Sequence, residues 1–248
     1  MKIFYAIQGT GNGHLSRAEQ LYPYLKKYGE VDFFLSGSNA QLNTPIPIKY
    51  RSKGISMQYK STGGLDYSSI AKSLSFKLYN EAKSLPINNY DLIINDFDFV
   101  TAMACKIRGA FSVQFGHQAS FQYHETPRPA KLNRIGEWVL KRFTPANFHV
   151  GLHFESYHPN ILPPVIGEAV RRTIPSNQGH ITVYLAQYKI CDIIQQLQSL
   201  THLKFHIFSA DVVAKKQIKN CELFPLGKES FSHSMAHSMG VITGGGFE

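Results

Sequence analysis

The sequence predicts an α/β protein built on mostly parallel sheet. Three observations carry this expectation. Short apolar runs alternate with segments of helical spacing. Several of those runs end in glycine-rich or polar tips, where sheets of this kind place their sites. A proline-rich stretch then separates one alternating series from a second.

The elements follow in order. Lys2 to Ile7 reads as a buried strand, and "QGTGNGH" as the turn after it. Leu15, Ala18, Leu21, Tyr22 and Leu25 recur at helical spacing, with Pro23 expected to kink or weaken that helix. Val31 to Leu35 is the next strand. Ile46, Ile48 and Tyr50 alternate, as do Met57 and Tyr59, so short strands and loops are expected there. A helix is expected from about Ser68 to Ser84, with Leu74, Leu78 and Leu85 on its apolar side. "YDLIIND" is a buried strand with polar residues at its end. "FVTAMACKIRG" is a helix closed by Gly109. "AFSVQFGHQ" is another strand, and Val150 to Phe154 one more. The four prolines of "ESYHPNILPPVIGEAVRRTIP" mark a connection. The second series comprises strand "HITVYLA", helix Ile190 to Leu200, strand "LKFHIFS", a short strand in "CELFPLG", helix Phe231 to His237 and strand "GVIT". The domain expectation is 1–155, a linker over 156–178, and a second domain over 179–248.

Composition narrows the function. The 248 residues are 43% hydrophobic and 17% charged, enough apolar content for a core and too much for a disordered chain. The net charge of +9 favours anionic partners, although the lysines and arginines are scattered. Tyrosines interleave with lysines in "YLKKYGEVDFF", but core and rim positions explain them better than base stacking, and no nucleic-acid partner is expected. Cys105, Cys191 and Cys221 are odd in number and widely spaced, which argues against a disulfide framework and fits a reducing compartment. The opening apolar run is too short for a signal peptide, and no later run reaches membrane-spanning length. The expected location is cytoplasmic, with room for peripheral contact at the inner, anionic face of a membrane.

The chemistry concentrates at the strand tips. Gly9, Gly11 and Gly13, with Asn12 between them, could approach a ligand closely or adopt positive φ, and amides at the helix start attract anions. The spacing is not the G-x-G-x-x-G fingerprint, and no GxxxxGK[ST] loop exists. His14 is the leading candidate base, because the positive end of a helix favours a neutral imidazole. Its alternative is a structural histidine that caps the turn. Asp96 and Asp98 follow the strand Leu92 to Ile94, and either could orient an imidazole or cap the next helix. His117, His124 and Glu125 are further polar candidates. Eleven histidines suggest a check for metal, but no HExxH or carboxylate cluster is present, so no metal cofactor is expected. The serine of "FGHQAS" lacks the G-x-S-x-G elbow.

Taken together, "GTGNGHLSRA", "YDLIINDF", "GHQ", "ILPPVI" and "GVITGGGFE" resemble the GT-B glycosyltransferases, nearest the MurG and UDP-glucuronosyltransferase-like groups. The resemblance covers nearly the whole chain. It implies two Rossmann-like domains facing across a cleft, the first holding a carbohydrate or lipid acceptor and the second a nucleotide-sugar donor. It implies His14 as base, Asp96 as its support, and Gly244, Gly245 and Gly246 at the donor phosphates, with Glu248 near the nucleotide or sugar. Related enzymes often carry a histidine where this chain has Gly244. The resemblance also implies further sequence after Glu248, an incomplete second domain, and little activity from the 248 residues alone. A sugar-nucleotide epimerase and a non-catalytic sugar- or lipid-binding relative are the alternatives.

Overall fold

The structure is a computed structural model that describes residues 1–9, 11–37, 44–55, 75–186 and 188–244. The chain packs into two compact units that divide between Ile166 and Gly167. Among the described residues no helix is long and apolar enough to cross a membrane.

The first unit is a seven-stranded sheet in the order β3-β2-β1-β4-β5-β6-β7, parallel throughout. Its strands are β1 (Lys2–Gln8), β2 (Glu30–Ser36), β3 (Ile48–Ser52), β4 (Leu92–Asp96), β5 (Val113–Gly116), β6 (Phe148–Leu152) and β7 (Ile161–Leu162). Its helices are α1 (Asn12–Leu25), α2 (Phe76–Ser84), α3 (Phe99–Arg108), α4 (His117–Ser120) and α5 (Arg134–Arg142). The strand order reverses between β1 and β4, which makes the crevice beyond their C-terminal ends the place where such sheets bind ligands.

Strand alternation decides what faces that crevice. Ile3, Tyr5 and Ile7 point to one face of β1 and pack with Leu15 and Ala18 of α1 and with Leu92 and Ile94 of β4. Asp96 continues the Leu92, Ile94 series, so it lies on the α1 face. The opposite parity, Ile93 and Asn95, faces away.

Helix α1 runs through Pro23 to Leu25. The proline sits in its last turn, so little helix follows the hydrogen bond it removes. The last strand before the proline-rich segment lies earlier than expected, at Phe148–Leu152. Within the stretch 156–178, Ile161 and Leu162 pair with Gly151 and Leu152 as the edge strand β7. Pro163 and Pro164 then end it, because they carry no N–H for the ladder. The part of the expected Ser68–Ser84 helix before Ser75, and the alternating Met57 and Tyr59, lie outside the described residues.

The second unit holds α6 (Glu168–Arg171), β8 (His180–Tyr184), α7 (Ile190–Leu197), β9 (Lys204–Ser209), β10 (Lys216–Ile218), β11 (Cys221–Pro225), α8 (Lys228–Ala236) and β12 (Gly240–Thr243). The strand order is β10-β11-β9-β8-β12, with only β10 antiparallel to its neighbour. Val183, Ile193, Phe205, Ile207, Cys221 and Leu223 form its core. Here too the order reverses, between β8 and β12. A polar cluster ties α8 to the sheet. Ser234 Oγ lies 2.7 Å from Thr182 Oγ1, and 3.1 Å from both His180 Nε2 and His206 Nδ1. The rings of His180 and His206 stack with centroids 3.7 Å apart. Two of the eleven histidines, His180 and His206, are thus structural.

Candidate active site

The site is built at the reversal point of the first sheet. His14 and Arg17 are three residues apart on α1, so both project from one face of its first turns. Asp96, fully buried at the end of β4, meets both. His14 Nδ1 lies 2.8 Å from Asp96 Oδ1. Arg17 grips the same carboxylate with two donors, Nε to Oδ2 at 2.9 Å and Nη2 to Oδ1 at 2.9 Å. This forked pair is the strongest geometry a guanidinium offers a carboxylate.

Arg17 Nη2 also lies 2.9 Å from His14 Nδ1. The two contacts ask opposite things of Nδ1: Asp96 Oδ1 accepts and calls for a proton there, whereas the Arg17 N–H donates and calls for a lone pair. Arg17 Nη2 also donates to Asp96 Oδ1, so it keeps a partner either way, whereas a lone pair on Nδ1 would face the carboxylate at 2.8 Å. A proton on Nδ1 leaves Nε2 as the proton-accepting nitrogen.

The charges are compensated within the cluster. Burial alone would push the Asp96 carboxyl up, but the Arg17 guanidinium, with His14 adding to it, outweighs burial and holds it below the usual carboxylate range. Burial likewise disfavours charge on Arg17, and Asp96 overcomes it. The Tyr5 hydroxyl lies buried beside the pair; burial first, then the Asp96 charge, raises it well above an ordinary phenol.

The turn after Asp96 is held firmly. Phe97 adopts φ 61°, a left-handed conformation costly for an aromatic residue. Asn95 compensates by bracketing the turn: its Oδ1 accepts from Asp98 N at 2.7 Å, and its Nδ2 donates to Asp98 O at 2.9 Å. Asp98 caps α3 by accepting from Thr101 N at 2.6 Å. The two aspartates therefore divide the roles that the sequence left open between them. Gly116, at the tip of β5, closes the site from the other side. A Cβ there would sit 2.8 Å from Asp96 Oδ1, and its φ is 134°. Only glycine leaves room for the carboxylate.

The glycine turn differs from the expectation of positive φ, for Gly9, Gly11 and Gly13 are not among the residues in that region. Gly9 instead lets two loops touch: its N–H donates to Ser36 O at 2.5 Å, and a Cβ would meet that oxygen at 3.0 Å. Gly11 is the residue before α1, while Asn12 and Gly13 begin the helix. Gly11, as the N-cap residue, offers no side chain to cap the helix, and no acid lies in the first turn.

His117 begins α4 directly after β5, and its Nδ1 donates to Leu152 O at 3.2 Å. Burial pushes it down to about 4, and His153, Arg17 and His14 add to that, against the Leu152 carbonyl. The unfolded imidazole titrates near about 6.5. Between those values the unfolded chain binds a proton that the native site refuses. Stability is therefore full above about pH 6.5 and falls as pH drops toward 4, by at most about 1.4 kcal/mol per pH unit for this group. Urea denaturation at pH 7 and pH 4.5 should show a smaller acid loss in His117→Asn, and an unchanged loss would contradict the assignment.

The other candidates lie elsewhere. His124 pairs with Glu125 at 3.2 Å on the surface. Gly244 is exposed immediately after β12, at the C-terminal edge of the second sheet. Gly245, Gly246 and Glu248 lie outside the described residues. Among the described residues no group of three His, Cys, Asp or Glu side chains is placed to hold a metal ion. Sequence reasoning missed Arg17, Tyr5 and Gly116. Arg17 had a signal, a cation one helical turn after a candidate base.

Two α/β units, each with a sheet whose strand order reverses beside its first strand, define a GT-B-type glycosyltransferase fold. Solved structures of that class share it at low identity. The SsfS6 glycosyltransferase of Streptomyces sp. SF2575 matches with a TM-score of 0.54 at 11% identity, over 100% of this chain and 77% of that one. Arabidopsis thaliana UGT89C1 matches at 0.51 and 11%, over 99% and 75%. LpCGTa in complex with UDP matches at 0.53 and 11%, over 98% and 74%. No curated protein sequence matches. The chain belongs to glycosyl transferase family 1, whose family model matches residues 1–248.

Proposed function

We propose that this protein transfers a sugar from a nucleotide-sugar donor to an acceptor hydroxyl, with inversion at the anomeric carbon. The observation that carries the reading is the imidazole of His14, tethered through Nδ1 to a buried carboxylate at the reversal point of the first sheet. His14 Nε2 takes the proton of the acceptor hydroxyl as its oxygen attacks the anomeric carbon. The bond from that carbon to the diphosphate breaks in the same step, and the diphosphate leaves with its electron pair. Asp96 orients the ring. Its charge is already matched by Arg17, and it is 0% exposed, so it is not placed to attack the sugar itself. A base at His14, with no exposed carboxylate beside it among the described residues, supports a single displacement and hence inversion.

The donor assignment rests on Gly244, the first of three consecutive glycines in the sequence. It follows the strand where the second sheet reverses, a position suited to backbone donors for a diphosphate. Among similar structures, UGT89C1 is complexed with UDP-L-rhamnose and LpCGTa with UDP, which supports the donor class.

The test uses the protein at its full encoded length with a panel of UDP- and dTDP-sugars. Nucleoside diphosphate release should depend on added acceptor, with product of inverted configuration by NMR. Sugar-nucleotide isomerisation without acceptor would replace this reading with an epimerase. Donor binding without turnover would make the protein a non-catalytic relative.

A further inference from the structure

We propose that α5 and the turn before it form an interfacial anchor for an anionic lipid surface. One face of α5 is locked to the body. Val139 and, just beyond the helix, Phe143 are buried. Asn133 Oδ1 caps the start, accepting from Ile135 N at 3.1 Å and Gly136 N at 3.0 Å. Gln122 Nε2 donates to the carbonyls of Leu140 and Lys141 at the other end, both at 3.3 Å.

The opposite face is apolar and uncovered. Leu132, Ile135 and Trp138 are 51%, 56% and 62% exposed, at successive intervals of three residues. Lys131, Arg134, Lys141 and Arg142 surround them, all exposed. The single carboxylate of the segment, Glu137, is paired with Arg128 at 3.2 Å. The patch therefore presents an indole and two aliphatic chains among four exposed cations. That is the chemistry of a bilayer interface: the ring sits among headgroups, the aliphatic chains enter the acyl boundary, and the cations reach lipid phosphates. A second copy of the chain fits poorly, because a self-complementary contact would bring like charges together. The anchor also adjoins the candidate site, since Gln122 lies in the turn that follows α4 and His117. If the transferase reading holds, such docking would present His14 to a lipid-linked acceptor; the anchor itself does not depend on that reading.

Trp138 is the only tryptophan of these 248 residues, and the difference spectrum against Trp138→Phe isolates its emission. The full-length protein is mixed with vesicles of phosphatidylcholine, with and without about one third phosphatidylglycerol, in moderate salt. A blue shift of emission with the anionic vesicles, quenched by brominated lipid, is the expected result. Arg134→Gln, Lys141→Gln and Arg142→Gln together should weaken co-sedimentation at least tenfold, since each cation near an anionic surface is worth about fivefold. Circular dichroism of the variant checks that it is folded. The proposal is overturned by an unshifted emission with anionic vesicles, by binding that survives the triple substitution, by a concentration-dependent shift without lipid, or by a Trp138 already blue-shifted because another segment of the full chain covers it. Transfer to a water-soluble acceptor, measured on the same variant, tests the transferase reading separately.

Discussion

His14→Ala is expected to reduce transferase kcat about 10²- to 10⁴-fold, the usual contribution of a positioned general base. The melting temperature should fall only modestly: the side chain is 12% exposed and its contact with Asp96 is lost, but Arg17 still holds the carboxylate with two donors. His14→Gln should be nearly as inactive, since its amide can take the place of Nδ1 against Asp96 without accepting a proton. Donor binding should survive in both variants, because the proposed diphosphate turn is on the other unit. Steady-state kinetics beside calorimetric donor binding would separate these effects. A variant that keeps near-normal turnover would remove His14 from the mechanism.

The second large effect falls on stability. Asp96→Ala leaves the Arg17 guanidinium, 2% exposed, without its counter-charge. Breaking one half of a buried ion pair costs about 3–5 kcal/mol. For a protein of this size that corresponds to a fall in melting temperature of roughly 6–20 °C. Replacing both partners by apolar residues, Arg17→Met with Asp96→Leu, should recover much of the loss, because no charge is then stranded. Turnover should stay low in the double variant, as nothing orients the His14 ring. Scanning calorimetry of the single and double variants decides the matter: equal destabilisation in both would mean that packing, not charge, dominates at Asp96.

These two expectations concern one cluster, and the cluster shows where sequence reasoning runs out. The strands Lys2–Gln8 and Leu92–Asp96 were legible because each is a run of apolar residues with a polar tip. His14 and Asp96 stood out at those tips. Asp96 was preferred to Asp98 as the partner of His14, but the capping role stayed open between them, because both precede the same helix at capping distance. The sheet separates them: alternation along β4 turns Asp96 toward α1, while the Asn95 bracket delivers Asp98 to the amide of Thr101. Helix α5 escaped notice because two of its four apolar residues, Ile135 and Trp138, face solvent and only Val139 is buried, so they do not trace a buried stripe. Strand β7 escaped because two residues between prolines carry no period at all.

The order of local elements, the alternation of strands with helices and the polar chemistry at strand tips are properties of neighbouring residues, and the chain alone determines them. Which tips meet is a property of strand order. His14 and Asp96 are 82 positions apart and touch only because β1 and β4 are neighbours in the sheet. The same contact admits Arg17 to the carboxylate and requires Gly116 to stand aside. Long-range pairing, side-chain facing and the sharing of one buried charge have no local signature, and only the tertiary structure decides them.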